Sequence, residues 1–585
     1  MIYLLAVLAY LVVLTGVGAY KSRQVKTQAD FSVAGRSLSP WVMVCTMLAV
    51  WIGTGSIVGN AEEAYRTGAA ALIIPLGTFL GLILLSLIAT KARTIEVSTV
   101  PEIIGSRYGQ TARALAVVAL VIAYMVIVSY QFNAGGAVLE VITGNKEPMA
   151  LKVGDGLTRR QLTRGRVVFT PEEGFTGRVS VALLAGSGDE GTPLPYVIDV
   201  VEPDAIAKAR AELGAAANHV AIKQGNYTRI RYDLADASTD VFRVSTLPAG
   251  GRLELIEPRL TKEKATVIAA AFIILYAMLA GLMSLAYADI LTGSIITVSL
   301  LIAFPVLLIK AGGFAGMHAG YANMVDKPHH MQFWGVYSPT HLINYLLPPF
   351  LLILGDANQY QRIFASRNAK GARQAVTVMI FLALAIELLI IASAWVAGSM
   401  TPDPENGRYI LIYAARHYMP FAMSILFMVT VVGVIVSTAD SFLLVPATTF
   451  IKDVYLNHIN PKASEKRTLL ASRLLVLIFG IAAYLVTFAF AETTGFFRKA
   501  LYAYTIYGSA ITPCLVAALF WKRATTTGAI SSILAGTVVT LLWSEADLIH
   551  NRLPPSLANL DAVLPAITVS VLALVVGSLL TSRKP

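Results

Sequence analysis

The sequence predicts an all-α polytopic membrane protein carrying one inserted, extracytoplasmic β-sandwich. Composition is the first indication: of 585 residues, 56% are hydrophobic and 14% charged, whereas a soluble domain carries roughly a quarter charged residues. Apolar runs long enough to span a bilayer recur from one end of the chain to the other, which marks lipid-facing helices rather than one buried globule. Residues 145–262 alone break the pattern, being polar, mixed in charge and rich in turn signals.

About thirteen spans are expected, at 1–20, 40–60, 70–90, 113–143, 263–286, 289–311, 338–358, 375–399, 420–449, 468–490, 498–520, 526–544 and 562–581. The first span has no basic residue before it, Lys21 and Arg23 after it, and no small-residue cleavage site. A retained helix with its amino terminus outside fits that asymmetry better than a signal peptide. The orientation assigns to the cytoplasm a series of basic loops: Lys91, Arg93, Arg107 and Arg113; Arg362, Arg367, Lys370 and Arg373; and finally Arg583 and Lys584. The net charge of +11 is then positive-inside bias and contact with anionic lipid, not a nucleic-acid surface. Cys45 and Cys514 both fall within spans and act as small apolar fillers, silent about redox compartment.

Three regions follow: membrane helices 1–144, the insertion 145–262, and membrane helices 263–585. Within the insertion, short alternating runs at 166–170, 178–184, 195–201, 218–223, 227–233, 240–245 and 251–256 read as strands between turns such as Gly188 to Gly191. Regularly spaced short strands argue for a sandwich, with one helix over Pro203 to Ala216. The segment RVVFTPEEGFTGRVSVALL resembles the later half of bacterial cadherin-like repeats, and VFRVSTLPAGGRLEL the earlier half. The acidic calcium-binding clusters of those repeats are missing, so no calcium is expected. A spacer or stabilising ectodomain is the leading reading, and a module binding a protein, glycan or solute is the alternative. The bacterial look of this insertion points to a prokaryotic inner membrane.

Chemistry concentrates in Val434 to Ser441, VIVSTADS, inside an apolar run. Polar and charged groups at membrane depth are expensive and mark ion or substrate pathways. Ser437 and Thr438 offer neutral hydroxyl oxygens, unless they bond back to carbonyls one turn earlier. The complementary half is AVWIGTGSIVGN at 49–60, where Gly53, Gly55 and Gly59 weaken the helix. A break there exposes the carbonyls of Ala49 and Ile52, and spanning helices break only where they line a site. Neutral oxygen ligands hold sodium and take up no proton near neutral pH. Asp289, Asp356, Glu387 and Asp440 are further carboxylates in or near spans. Asp289, ahead of the apolar run from Ile290, is either a helix cap or functional. Asp356, with Asn358, Gln359 and Tyr360, suggests a second helix break or a gate. Glu387 fits an interhelical hydrogen bond as well as a functional role. Tyr130, Gln131 and Asn133, with Tyr502, Tyr504, Thr505 and Tyr507, are polar groups suited to a solute cavity or to the lipid interface.

With these residues in view, the chain resembles the sodium:solute symporter family. The matching stretches are FSVAGRSLSPW at 31–41, the Gly-rich helix 45–60, SYQFNAGG at 129–136, LAGLMSLAYADI at 279–290, GDANQYQR at 355–362, VSTADSFLLVPATTFIKDVY at 436–455 and LVAALFWKRATTTGA at 515–529. The resemblance implies a LeuT-type five-plus-five inverted repeat with flanking helices. It further implies a sodium site from the carbonyls of Ala49, Ile52 and Val434 and the hydroxyls of Ser437 and Thr438, with Asp289 nearby. Ser56, Gln131, Asp356 and Asn358 become substrate positions. The family often places glutamine three residues after that aspartate, where this chain has Thr292. The expected function is symport of a small neutral or zwitterionic solute, such as a sugar or amino acid, with co-transported sodium. A solute sensor using the ectodomain and a proton-coupled carrier are the alternatives. An enzyme is not expected, because no metal-ligand spacing or nucleophile motif is present.

Overall fold

In the computed structural model, the described residues are 2–186, 191–202, 205–213, 218–232, 234, 239–322, 324, 327–401, 407, 409–489, 495–545 and 560–581. Several sequence expectations fall outside them: Met1, turn residues 188–190, the helix ends at 203–204 and 214–216, position 233, the span end at 490, and the terminal Arg583 and Lys584. The chain forms two compact units, one of residues 1–139, 262–318 and 329–585, the other of 140–261 and 319–328.

The first unit is a helical bundle. Among the described residues, ten helices are long and apolar enough to cross a membrane, or eleven if the bent pair Pro40–Trp51 and Gly55–Ile73 is one span. The helices that organise it are α1 (Ile2–Ser22), α2 (Pro40–Trp51), α3 (Pro75–Thr94), α4 (Gln110–Thr143), α5 (Lys262–Lys310), α6 (Pro339–Gly355), α7 (Ala357–Ala365), α8 (Ala369–Gly398) and α9 (Phe421–Phe450). These are followed by α10 (Glu465–Val486), α11 (Phe496–Ala510), α12 (Thr512–Phe520), α13 (Thr526–Glu545) and α14 (Val563–Thr581). Beyond that bent pair, the difference from thirteen has two sources. Helix α6 has 17 residues, just short of a span by length, and α5 takes in two of the expected spans. The break in α5 falls at Gly281, whose φ of 73° and ψ of 164° leave the helical region. No side chain fits there: a Cβ on Gly281 would lie 2.7 Å from the Phe31 ring. The break was expected nearer residues 286–289. Asp289 therefore lies well inside the second arm of α5 and is not the cap of a helix.

Local sequence sets the other ends. Ser39 and Ser338 accept from the amides of Val42 and His341, with proline first in each helix; proline's missing N–H and fixed φ suit that position. Asn368 caps α8 through the Gly371 amide at 2.7 Å. Helix α9 is mostly apolar with no exposed polar face, and every residue from 427 to 449 is buried, as such a helix demands. On α10 the exposed residues Leu470, Leu474, Ile478, Ile481 and Leu485 recur at helical spacing, the outward stripe of a lipid-facing helix. Two residues expected in cytoplasmic loops are instead buried. Arg113 pairs with Asp453, whose other oxygen accepts from Thr99 at 2.7 Å; Arg362 is fully buried. A count of loop charges cannot see that a partner carboxylate waits on another helix.

The second unit is a β-sandwich. One sheet runs β1-β9-β3-β7 and the other β2-β8-β4-β5-β6. The strands are Met149–Ala150, Gly156–Thr158, Val167–Pro171, Gly177–Ala185, Thr192–Val201, His219–Lys223, Thr228–Ile230, Val241–Thr246 and Gly251–Leu255. All pairs are antiparallel except β5 with β6, where helix Ile206–Leu213 makes the crossover that parallel strands require. Alternating residues of both sheets, including Phe169, Val181, Ile198, Phe242 and Leu253, share one core. The seven strands read from turn spacing are all present. Two very short ones, β1 and β2, carried too little alternation to be read.

Two predictions follow from these contacts. Asp453→Asn leaves buried Arg113 without its counter-charge, and unfolding stability should fall by about 3–5 kcal/mol, read by thermal or denaturant unfolding in detergent. In the sandwich, Asp199 accepts from Arg178 Nε at 2.7 Å and lies 2.9 Å from His219 Nε2. The Arg178 hydrogen bond, supported by His219, holds its carboxyl below the usual carboxylate range. A depressed pKa stabilises the fold above the unfolded value of about 3.9 and loses that contribution as pH falls through the folded value. Hydrogen exchange of the β4–β5 amides, corrected for intrinsic rates, should therefore accelerate below about pH 4. Asp199→Asn should weaken that acid dependence.

Candidate functional site

Helix α2 ends at Ile52, whose ψ of 85° is not helical. A π-helical turn, Gly55–Asn60, then restarts the chain at an angle of 54°. The break lies against α9 and α4. A Cβ on Gly53 would meet Thr438 Cγ2 at 2.9 Å and Gln131 Nε2 at 3.0 Å, so only glycine lets the backbone come this close. Thr438 Oγ1 lies 3.4 Å from the Ala49 carbonyl and 3.3 Å from that of Val50. Gln131 Oε1 accepts from the Thr54 amide at 3.3 Å and also from the Thr54 hydroxyl.

Ser437 does not bond back along its own helix. Its hydroxyl donates to Asp289 Oδ1 at 2.5 Å, while Thr46 donates to Asp289 Oδ2 at 2.5 Å. Arg362 then ties this pair to the second break: it donates to Thr46 Oγ1 at 3.2 Å, Ser441 Oγ at 2.8 Å and the Asn358 carbonyl at 3.2 Å. Ser441 in turn donates to Asp440 Oδ1 at 3.2 Å. Asp289, Asp440 and Arg362 are all buried, so the guanidinium, with its five donors in a fixed fork, is what makes two carboxylates tolerable at this depth.

The second break separates α6 from α7 at Asp356. Its carboxylate caps α7 through the Asn358 amide at 3.1 Å and accepts from the Tyr124 hydroxyl at 2.5 Å. The Gly355 carbonyl freed by the break accepts from Tyr507 at 2.9 Å. Asp356 Oδ2, Asn358 Nδ2 and Gln131 Nε2 have no hydrogen-bond partner among the described residues.

Of the five expected sodium ligands, Ala49 and Thr438 meet directly, and Ser437 turns to Asp289. Ile52 and Val434 are buried on the same two elements. The four expected substrate residues divide between two places. Ser56 lines a cavity of about 20 Å³ with Trp51, Asn60, Tyr345, Glu387 and Tyr504, roughly room for one water. Gln131 braces the first break, whereas Asp356 and Asn358 belong to the second. Arg362, Thr46 and Tyr124 escaped the sequence reading. The polar run GDANQYQR signalled a break, but nothing in it told that its arginine turns inward.

The sequence profile of the sodium:solute symporter family matches residues 31–159 and 245–536, leaving out most of the sandwich. The osmoregulated proline transporter OpuE of Bacillus subtilis is 23% identical over 352 residues, 59% of this chain and 68% of its own length. A sodium/proline symporter of Haemophilus influenzae is 24% identical over 47% of this chain and 56% of its own length. These relatives are therefore matched over about half to two thirds of their length. A solved structure of a Na+-coupled sialic acid symporter, substrate-bound and outward-open, superposes with a TM-score of 0.66 over 100% of this chain and 98% of that one, at 14% identity. That likeness concerns the fold.

The Arg362 network yields its own prediction. Arg362→Met strands two buried carboxylates and should cost about 3–5 kcal/mol of unfolding stability. Arg362→Lys keeps the charge but not the fork, and its measured loss should lie between wild type and methionine.

Proposed function

The chain belongs to the sodium:solute symporter family, a family of transporters rather than enzymes, and from that premise we propose that it is a sodium-driven symporter of a small organic solute working by alternating access. The observation that carries this reading is the meeting of Thr438 Oγ1 with the Ala49 and Val50 carbonyls at the α2 break. At 3.3–3.4 Å these contacts are weak hydrogen bonds. Hard cations take oxygen ligands, and a sodium ion between α2 and α9 would draw on the carbonyls of Ala49, Ile52 and Val434 and the hydroxyls of Ser437 and Thr438. Asp289 supplies negative charge one hydrogen bond away through Ser437. Sodium is here the coupled ion, not a resident cofactor.

The five-plus-five inverted repeat is supported by the placing of the breaks. One falls at the start of the helices running from α2 to α5, the other at the start of those from α6 to α12. Interrupted helices in corresponding positions of two halves are what such a repeat produces around a midplane site. The solute is neutral or zwitterionic, and Ser56, Gln131, Asp356 and Asn358 are its proposed contacts or their supports. The protein lies in a prokaryotic inner membrane with its amino terminus and sandwich outside and its carboxyl terminus in the cytoplasm. Energetically one ion is enough: 100 mV acting on one charge gives about 2.3 kcal/mol and a tenfold gradient adds about 1.4, which together hold a neutral solute several hundredfold concentrated.

Thermal unfolding of the purified protein, with sodium replacing potassium at constant ionic strength, tests the ion site without knowledge of the solute. Sodium at ten times its dissociation constant should add about 1.4 kcal/mol. The rise should be saturable, selective over potassium, and lost in Ser437→Ala and Thr438→Ala. Wild-type sodium response in both variants sinks the site.

A further inference from the structure

The cavity beside the α2 break has one charged group among its lining residues, Glu387, and no lysine, arginine or histidine. Its side chain is buried and its Oε1 accepts from Trp51 Nε1 at 2.8 Å. A carboxylate buried without a counter-charge either takes up a proton or is matched by a cation that enters beside it. The rest of the wall is suited to one. Trp51 and Tyr504 stack with ring centroids 6.3 Å apart and planes at 26°; Tyr345 and Phe497 meet edge-to-face at 4.9 Å and 89°. All four rings line the same cavity as Glu387. Aromatic faces around a carboxylate attract an ammonium group through ring quadrupole and charge together. The same faces, with the carboxylate, oppose an anion.

We propose that Glu387 is the counter-charge for a positively charged nitrogen on the transported solute, an amine or quaternary ammonium, held within the aromatic walls formed by Trp51, Tyr345, Phe497 and Tyr504. This rests on the reading of the protein as a sodium-coupled carrier whose solute enters this cavity. Room for about one water means the walls part when the solute enters. Trp51 links the two sites: it bonds Glu387 through its side chain, and the carbonyls of the two residues before it, Ala49 and Val50, face Thr438. A cation drawn to Glu387 thus bears on the backbone that meets the proposed sodium ligands.

The test uses cations and their uncharged isosteres: choline against 3,3-dimethyl-1-butanol, and n-propylammonium against n-propanol. Unfolding of the full-length protein is followed at saturating sodium, for wild type, Glu387→Gln and Glu387→Asp. At least one cation should raise the wild-type midpoint well beyond its isostere. Its affinity should fall about tenfold or more in Glu387→Gln, the loss of an attraction worth more than 1.4 kcal/mol, and recover in part in Glu387→Asp. Glutamine keeps an acceptor for Trp51, and a retained response to sodium alone shows that the variant is folded. No advantage of either cation over its isostere, or an advantage that survives in Glu387→Gln, overturns the proposal. If wild type lacks the sodium response itself, the carrier reading fails instead, so the two failures are distinct.

Discussion

Everything in the helical unit depends on how the interruption of α2 at residues 51–54 is tolerated. Within a bilayer an unpaired backbone group costs several kcal/mol, and a helix that stops midway frees several at once. Side chains of neighbouring helices supply the missing partners. Thr438 lies against the Ala49 and Val50 carbonyls, and Gln131 accepts from the Thr54 amide. The partners are side chains with long, yielding contacts rather than another backbone ladder. The break is consequently held by a few long contacts, as the proposed exchange of a hydroxyl for a cation would require.

Helix α9 has to be the fixed side of that arrangement, and its surroundings explain why. It is buried on all faces from residue 427 to 449, and two of its polar residues, Ser437 and Ser441, are anchored through Asp289 and Arg362 to α5 and α7. Arg362 also holds Thr46 of α2 and the Asn358 carbonyl at the start of α7. One guanidinium therefore connects α2, the second break and α9. Buried ion networks contribute little net stability compared with apolar packing of the same volume, yet removing one member is severe. A network of that kind fixes geometry: the Thr46 arm of α2, α9 and the second break cannot shift against one another without unmaking hydrogen bonds at Arg362.

Much of this was legible in the residues, for identifiable reasons. The Ser437–Thr438 pair stood out because hydroxyls and a carboxylate are rare in so apolar a run. The glycines at 53, 55 and 59 announced weak helix, and the break lies at 51–54. In the insertion, turn residues punctuate alternating strands, so seven strands could be placed to within a few residues. What stayed hidden was orientation. Periodicity reports a buried face only when another face is wet, and α9 has none. Arg113 and Arg362 read as loop charges because the groups that hold them inside lie far off in sequence: Asp453 for Arg113, and Thr46, with Asp289 behind it, for Arg362. The α5 break was misplaced for a related reason: Ala286 to Asp289 looks like a polar interruption, but the interruption is made by Gly281 against Phe31, a contact no local pattern encodes.

The separation of Ser56 from Asp356 and Asn358 bears on how ion and solute would be coupled. Had all the expected substrate groups shared one cavity, solute and ion would interact mainly by direct proximity. Instead the cavity is bounded by Trp51, Ser56 and Glu387, on and beside the first break, while Asp356 and Asn358 sit in the second break, where the Asn358 side chain accepts from Arg362. A ligand can shift a conformational equilibrium only by as much as it distinguishes the two states. At the proposed sites, a solute pressing on Trp51 would change the segment whose carbonyls face Thr438, and an ion at Thr438 would steady the same segment from the other side. Coupling of this form needs no long pathway, only one interrupted helix whose two sides are claimed by different ligands, with the second break following through Arg362.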